Sequence, residues 1–202
     1  MVETLIAPYT SERFVKNSRF LAHAAPVKTI QEAKNFITSL STANPDATHH
    51  CWAWQIGANS RCHDAGEPAG TAGKPILQAI VSQKLDRVVL VISRWFGGIK
   101  LGAGGLIRAY SGTAIECLHQ APKELLIERI GLSFHCPFSL VSLVQARLPE
   151  WQINSDTPVF DTQGAQFFLT LPIERREEIT RRITDLTHGQ STIKIVESDD
   201  VA

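Results

Sequence analysis

Five glycines fall within nine residues, at Gly97, Gly98, Gly102, Gly104 and Gly105. Backbone without side chains lets a ligand approach main-chain N–H groups closely, and such groups bind phosphate. Cations suited to the same partner lie nearby. Arg94, Lys100 and Arg108 flank or interrupt this segment, and Lys74 closes a second one, Gly66-Glu67-Pro68-Ala69-Gly70-Thr71-Ala72-Gly73. Trp95-Phe96 adds aromatic surface. One of the two is expected in the core, and the other can stack on a base of single-stranded RNA. These residues predict a nucleic-acid or anion site made of Lys74, Arg94, Trp95, Gly97, Gly98, Lys100, Gly102, Gly104, Gly105 and Arg108. The opposing expectation makes Arg94 a structural partner of a carboxylate, Asp64 or Glu67.

Neither segment is a nucleotide fingerprint. A Walker loop needs Ser or Thr after Gly-Lys to hold magnesium, and Pro75 follows Gly73-Lys74. A dinucleotide loop reading Gly102-x-Gly104 needs a small residue where Ile107 stands. A helix starting near Lys74 still points free N–H groups and a positive dipole end outward.

A second constellation is polar: His49, His50, Asp64, Glu67 and Thr71 form a candidate pocket. A hydrolase's acid–base pair can be assembled from His49, Asp64 and Glu67. The bland reading has Asp64 or Glu67 capping the turn before the helix at Lys74. His49, His50, Cys51, Cys62 and His63 are zinc-ligand types. Neighbours on a strand point to opposite faces, so His50 and Cys51 do not share a metal. No metal, cofactor or catalytic residue is assigned. A Gly-x-Ser-x-Gly elbow is absent, and Ser111-Gly112 falls inside an expected helix.

The elements that must hold these residues follow from periodicity. Phe14-Val15 and Phe20-Leu21 flank a polar turn and predict a strand pair ending at Pro26. Ala33, Phe36, Ile37 and Leu40 predict a helix capped by Thr29 and stopped at Asn44-Pro45. The aromatic run 50–56 reads as a strand, with Trp52 and Trp54 on one face, and 57–73 as a loop. A helix opens at Lys74-Pro75. The β-branched run 87–96 reads as a central strand. Ile107, Tyr110, Ser111, Ala114 and Leu118 mark a helix closed by Pro122.

Beyond Pro122 the order is strand 125–135, helix 138–148, strands 151–160 and 165–173, helix 174–188 and strand 193–196. That β-α-β-β-α-β order predicts a ferredoxin-like plait. The expected domains are 1–123 and 124–202.

Composition bounds the class. With 202 residues, 44% hydrophobic and 20% charged, the chain has the make-up of a soluble globular protein of two small domains or one large one. No apolar run reaches the ~20 residues of a membrane span, and no signal peptide is legible, so a cytoplasmic protein without membrane contact is expected. The net charge of zero divides unevenly. Residues 1–124 hold thirteen Lys and Arg against nine Asp and Glu, or +4, while 125–202 hold seven against eleven, or −4. A basic front points to an anionic partner. The four cysteines form no CxxC pair and read as reduced, mostly buried thiols.

Three blocks together resemble the IMPACT family, in its bacterial YigZ-like branch. They are His49-His50-Cys51-Trp52-Ala53-Trp54, Gly66 through Pro75, and Arg94-Trp95-Phe96-Gly97-Gly98 with Leu101 through Tyr110. The resemblance implies an α+β protein of two domains. The first would be like domain two of small-subunit ribosomal protein S-five, with a left-handed β-α-β crossover, and the second like domain five of elongation factor G. Both relatives act on RNA, and eukaryotic members of the family regulate translation through an added N-terminal module for which this chain has no room. The family's pair of acids before Gly-Glu-Pro is reduced here to Asp64, with Ala65 beside it. The expected function is RNA or ribosome binding in the regulation of translation. The alternative is a small hydrolase or ligand-binding enzyme using His49, Asp64 and Glu67. A protein partner is expected on the C-terminal domain, and no oligomeric state is implied.

Overall fold

The structure, a computed structural model, describes residues 2–196; residue 1 and residues 197–202, the outer ends of the two expected domains, lie outside the described residues. The fold is mixed α/β with antiparallel sheets, and the chain divides after Leu126 into two compact units.

The first unit contains β1 (Glu3–Leu5), β2 (Tyr9–Val15), β3 (Ser18–Pro26), α1 (Ile30–Ala43), β4 (His49–Ile56) and β5 (Asn59–His63). After these come α2 (Gly73–Ser82), β6 (Val88–Trp95), α3 (Ala103–Gln120) and β7 (Lys123–Leu125). Five strands form one sheet in the order β2-β3-β6-β4-β5, every pair antiparallel. β6 is the middle strand, as its unbroken apolar run predicts. Helices cover both of its faces, so Val88 through Ile92 are buried without alternation.

The two faces are built from alternate residues. Phe20, Ala22, Ala24, Cys51, Ala53, Leu90 and Ile92 meet α2 and α3 on one side. Ala25, Trp52, Trp54, Val89 and Val91 meet α1 on the other, so the two tryptophans do share a face. Thr29 caps α1 by accepting the N–H of Glu32, and Asn44 closes it, both as the sequence predicts.

Two differences from the sequence reading bear on the site. Residues 59–63 are a strand rather than loop, because β5 is a mostly exposed edge strand with no apolar alternation to reveal it. The helix α3 begins at Ala103, so Gly104 and Gly105 form its first turn instead of preceding it. Gly102, at φ +71°, turns the chain into that helix in a conformation that favours glycine.

Gly97 does something else. A Cβ there would overlap the backbone of Asn17 and Ser18 in the β2–β3 turn. Gly97→Ala is expected to destabilise the first unit by about 1–3 kcal/mol, the cost of overpacking a site that cannot relax. Urea unfolding followed by tryptophan fluorescence checks this, and an unchanged midpoint would show that the turn yields freely.

The second unit contains β8 (Arg129–Pro137), α4 (Phe138–Glu150), β9 (Asn154–Ser155), β10 (Val159–Phe160), β11 (Gly164–Pro172), α5 (Arg176–Leu186) and β12 (Ile193–Val196). A 3-10 turn, Ile173–Arg175, leads into α5. The sheet order is β10-β11-β8-β12, with β9 also on β11. The expected single strand at 151–160 is two short pieces, separated by a segment containing Pro158, which has no N–H for a ladder. The division falls at 126 rather than 123 because β7 pairs with β1 and stays in the first unit.

Phe134 and Phe167 stack at 5.2 Å in the second unit's own core, with Leu132, Leu169, Ile179 and Ile183 around them. Residues 127–202 expressed alone are therefore expected to unfold cooperatively on heating. A melt without a transition would mean this core needs the first unit. No helix among the described residues is long and apolar enough to cross a membrane.

Candidate functional site: a buried ion pair beneath a glycine-rich helix start

Strand register explains how the site arises. Phe20, Arg94 and His49 occupy one row across β3, β6 and β4, and alternation turns all three toward the α2–α3 side. The loop between β5 and α2 crosses over this row and delivers Glu67, and α3 delivers Tyr110. Arg94 Nη1 donates to Glu67 Oε1 at 2.6 Å, with both side chains about 95% buried or more. The Tyr110 hydroxyl donates to the same oxygen at 2.8 Å. Arg94 Nη2 reaches Ser18 Oγ at 3.3 Å, while Nε has no partner among the described residues. Tyr110 also packs edge-on against Phe20, with centroids 5.2 Å apart.

His49 completes the group. Its Nδ1 lies 2.9 Å from the Ala65 carbonyl, which can only accept, so Nδ1 carries the proton and Nε2 faces Glu67 at 3.9 Å. Cys51 is not a nucleophile here. Burial pushes its thiol up to about 12, against an opposing hydrogen bond with Tyr110. Burial, then the neighbouring Cys51 and Glu67, likewise keep the Tyr110 hydroxyl protonated.

The loop over the row is held by Asp64. Its Oδ2 accepts the N–H of Gly70 at 2.8 Å, and Oδ1 accepts those of Ala72 at 3.0 Å and Gly73 at 2.8 Å. Burial works to raise the Asp64 carboxyl, but the three N–H groups outweigh it and hold the group below the usual carboxylate range. Thr71 locks the same loop, donating from its hydroxyl to the Pro68 carbonyl at 2.7 Å.

Above the ion pair opens a cleft of about 240 Å³. Glu67 and Arg94 form part of its wall, Pro68, Phe96, Leu101 and Leu106 its apolar lining, and Lys100, Gly102 and Ala103 its remaining lining. The first intrahelical bond of α3 runs from Leu106 N to Gly102 O, and no side chain caps the helix. The N–H groups of Ala103, Gly104 and Gly105 therefore have no partner within the helix. Arg108 is exposed one turn further on, its guanidinium beside Gly104.

The residues singled out from sequence are thus divided. Arg94, Lys100, Gly102, Gly104, Gly105 and Arg108 come together at the start of α3. Arg94 is 4% exposed and ion-paired, the placement the structural reading of this residue expects. Trp95 points to the opposite face of β6, where Arg19 lies 4.5 Å over its ring and Asp46 accepts its N–H at 2.8 Å. Phe96, not Trp95, lines the cleft, 47% exposed. Gly97 sits against the β2–β3 turn, Gly98 is exposed outside the cleft lining, and Lys74 is exposed in the first turn of α2.

Of the polar pocket, His49 and Glu67 meet. Asp64 and Thr71 are committed to backbone, and His50 faces the other side, bonded to Ser93. Among the described residues, no three His, Cys, Asp or Glu side chains converge as a metal site would require. Tyr110 was legible only as part of a helix face. The available signal was that a buried tyrosine needs a partner for its hydroxyl.

Comparison with known proteins bears on this site. Residues 16–118, which include all of it, match the family model described as the Impact N-terminal domain. An IMPACT family member of Thermus thermophilus is 40% identical over 177 residues, 87% of this chain and 97% of that protein. The IMPACT family member YigZ of Escherichia coli is 32% identical over 199 residues, 95% of this chain and 96% of that one. A crystal structure described only as that of a hypothetical protein aligns over 98% of both chains, with a TM-score of 0.69 at 29% identity.

Proposed function

Because the chain belongs to the IMPACT family, we propose that it binds RNA or the ribosome in the cytoplasm and thereby regulates translation. The observation that carries this reading is the start of α3, where Lys100 and Arg108 stand beside three N–H groups without helical partners. A helix N-terminus with cations is suited to phosphate. The charge balance of +4 over residues 1–124 supports it. We read the first unit as like domain two of ribosomal protein S-five, with β3-α1-β4 in the place of the left-handed crossover that the resemblance implies. β3 and β4 flank β6, each antiparallel to it, and so run parallel to one another, as a β-α-β crossover requires. The second unit is read as a ferredoxin-like plait resembling domain five of elongation factor G, which its strand order β10-β11-β8-β12 supports. A protein partner is assigned to the second unit, where Phe138 and Phe160 stack while more than half exposed.

The test is sedimentation of the full chain with ribosomes across a salt series. Binding should weaken as salt rises, each neutralised single-strand phosphate contributing roughly 0.7 to the log–log slope. No co-sedimentation at low salt would overturn the reading.

A hydrolase or ligand-binding enzyme is the second reading, favoured by one observation. His49 is oriented by the Ala65 carbonyl and directs Nε2 at Glu67 beside the cleft. It predicts turnover of a carboxylic or phosphoric ester by the full chain that disappears in His49→Ala.

A further inference from the structure

The cleft at the start of α3 has a shape as well as a charge. We infer that it seats one nucleotide of a single-stranded RNA, the phosphate on the N–H groups of Ala103, Gly104 and Gly105 with Lys100, and the base against Phe96. This deepens the RNA-binding reading and rests on it. Three observations lead there. Glu67 already neutralises Arg94 at 2.6 Å, so the anion-attracting groups left to the cleft are Lys100 and the helix start. Arg94, only 4% exposed, forms part of the cleft wall, its Nε without a partner among the described residues. The rest of the lining is apolar, with Phe96 its exposed aromatic at 47%.

A bare anion site has no use for an aromatic wall. A phosphate attached to a flat base uses both, because bases stack on aromatic rings largely without regard to sequence. Size sets the stoichiometry. At about 240 Å³ the cleft is smaller than the ~300–1,000 Å³ of drug-sized sites, so it takes one nucleotide while the strand continues outside. A duplex keeps its bases stacked inside and cannot present one to Phe96.

Titration of the full chain with a short fluorescein-labelled oligouridylate tests the assignment, with the same sequence as a duplex, uridine monophosphate and inorganic phosphate as competitors. Phe96→Ala should weaken oligouridylate binding by about tenfold. Lys100→Ala should flatten the salt slope by roughly 0.7. Ala103→Pro removes one N–H at the first helical position, where proline is tolerated, and should weaken binding without lowering the melting temperature.

Uridine monophosphate should compete better than inorganic phosphate, and the duplex should compete poorly. Oligouridylate bound equally by Phe96→Ala and Ala103→Pro would overturn the assignment, as would equal competition by phosphate or by the duplex. If those variants still co-sediment with ribosomes in the parent's salt-dependent way, only the cleft assignment has failed. If the parent chain binds neither oligouridylate nor ribosomes, the RNA-binding reading has failed with it.

Discussion

Replacing Arg94 with Met is expected to destabilise the first unit by about 3–5 kcal/mol, the range for removing one partner of a buried ion pair. Most of that loss comes from what remains. Glu67 keeps its carboxylate, 3% exposed, with the Tyr110 hydroxyl the one remaining donor within hydrogen-bond distance among the described residues and His49 Nε2 at 3.9 Å. Arg94→Lys should not rescue it, because an ammonium cannot reach Glu67 and Ser18 together as the planar fork does. Adding Glu67→Gln to Arg94→Met should restore part of the loss. Gln carries no charge and still accepts from Tyr110. Urea unfolding of the two single variants and the double variant forms a thermodynamic cycle. Additive losses would show that the pair is not coupled. A loss below about 1 kcal/mol for Arg94→Met would place its charge in contact with water.

The second large effect is expected at Asp64. Asp64→Ala removes the acceptor of three backbone N–H groups at once, orphaning the buried ones of Ala72 and Gly73 and leaving that of Gly70 to water, and should cost about 2–4 kcal/mol, since bonds to a charged acceptor exceed neutral ones. The pH dependence follows from the direction of its shift. The folded carboxyl sits below its unfolded value, so its contribution is full above the unfolded pKa of about 3.9 and fades as pH falls through the folded one. The stability gap between the parent and Asp64→Asn should therefore narrow below about pH 4, measured by urea unfolding at a series of pH values. A gap constant with pH would mean that the carboxylate's charge is not what holds the loop. Because that loop carries Glu67, loosening it should also expose the Arg94 ion pair to faster hydrogen exchange.

Much of this was legible in the order of residues. Val88 through Ile92 had to be a central strand, because an unbroken apolar run can satisfy its surface only when both faces are covered. Thr29 and Asn44 bracket α1 because capping is chemistry local to a few residues. The glycine segments, Arg94 and Lys100 stood out by type and spacing, and the resemblance to the family rested on three contiguous motifs.

Contacts between distant residues are another matter. Trp95 and Arg94 are adjacent in the chain, yet they serve opposite faces of β6. Side-chain direction alternates along a strand, and only packing says which face carries the site. Asp64 and Glu67 both suited Arg94 as a partner, and the tertiary structure decided between them. Asp64 folds back onto the N–H groups of Gly70, Ala72 and Gly73, which leaves Glu67 as the carboxylate over the Phe20–Arg94–His49 row. That row joins residues 29 and 74 positions apart in sequence only through strand register. Sequence therefore determined the chemical types and the elements, which depend on local spacing. Register and the crossing of one loop determined which groups meet, because those depend on contacts that no local pattern encodes.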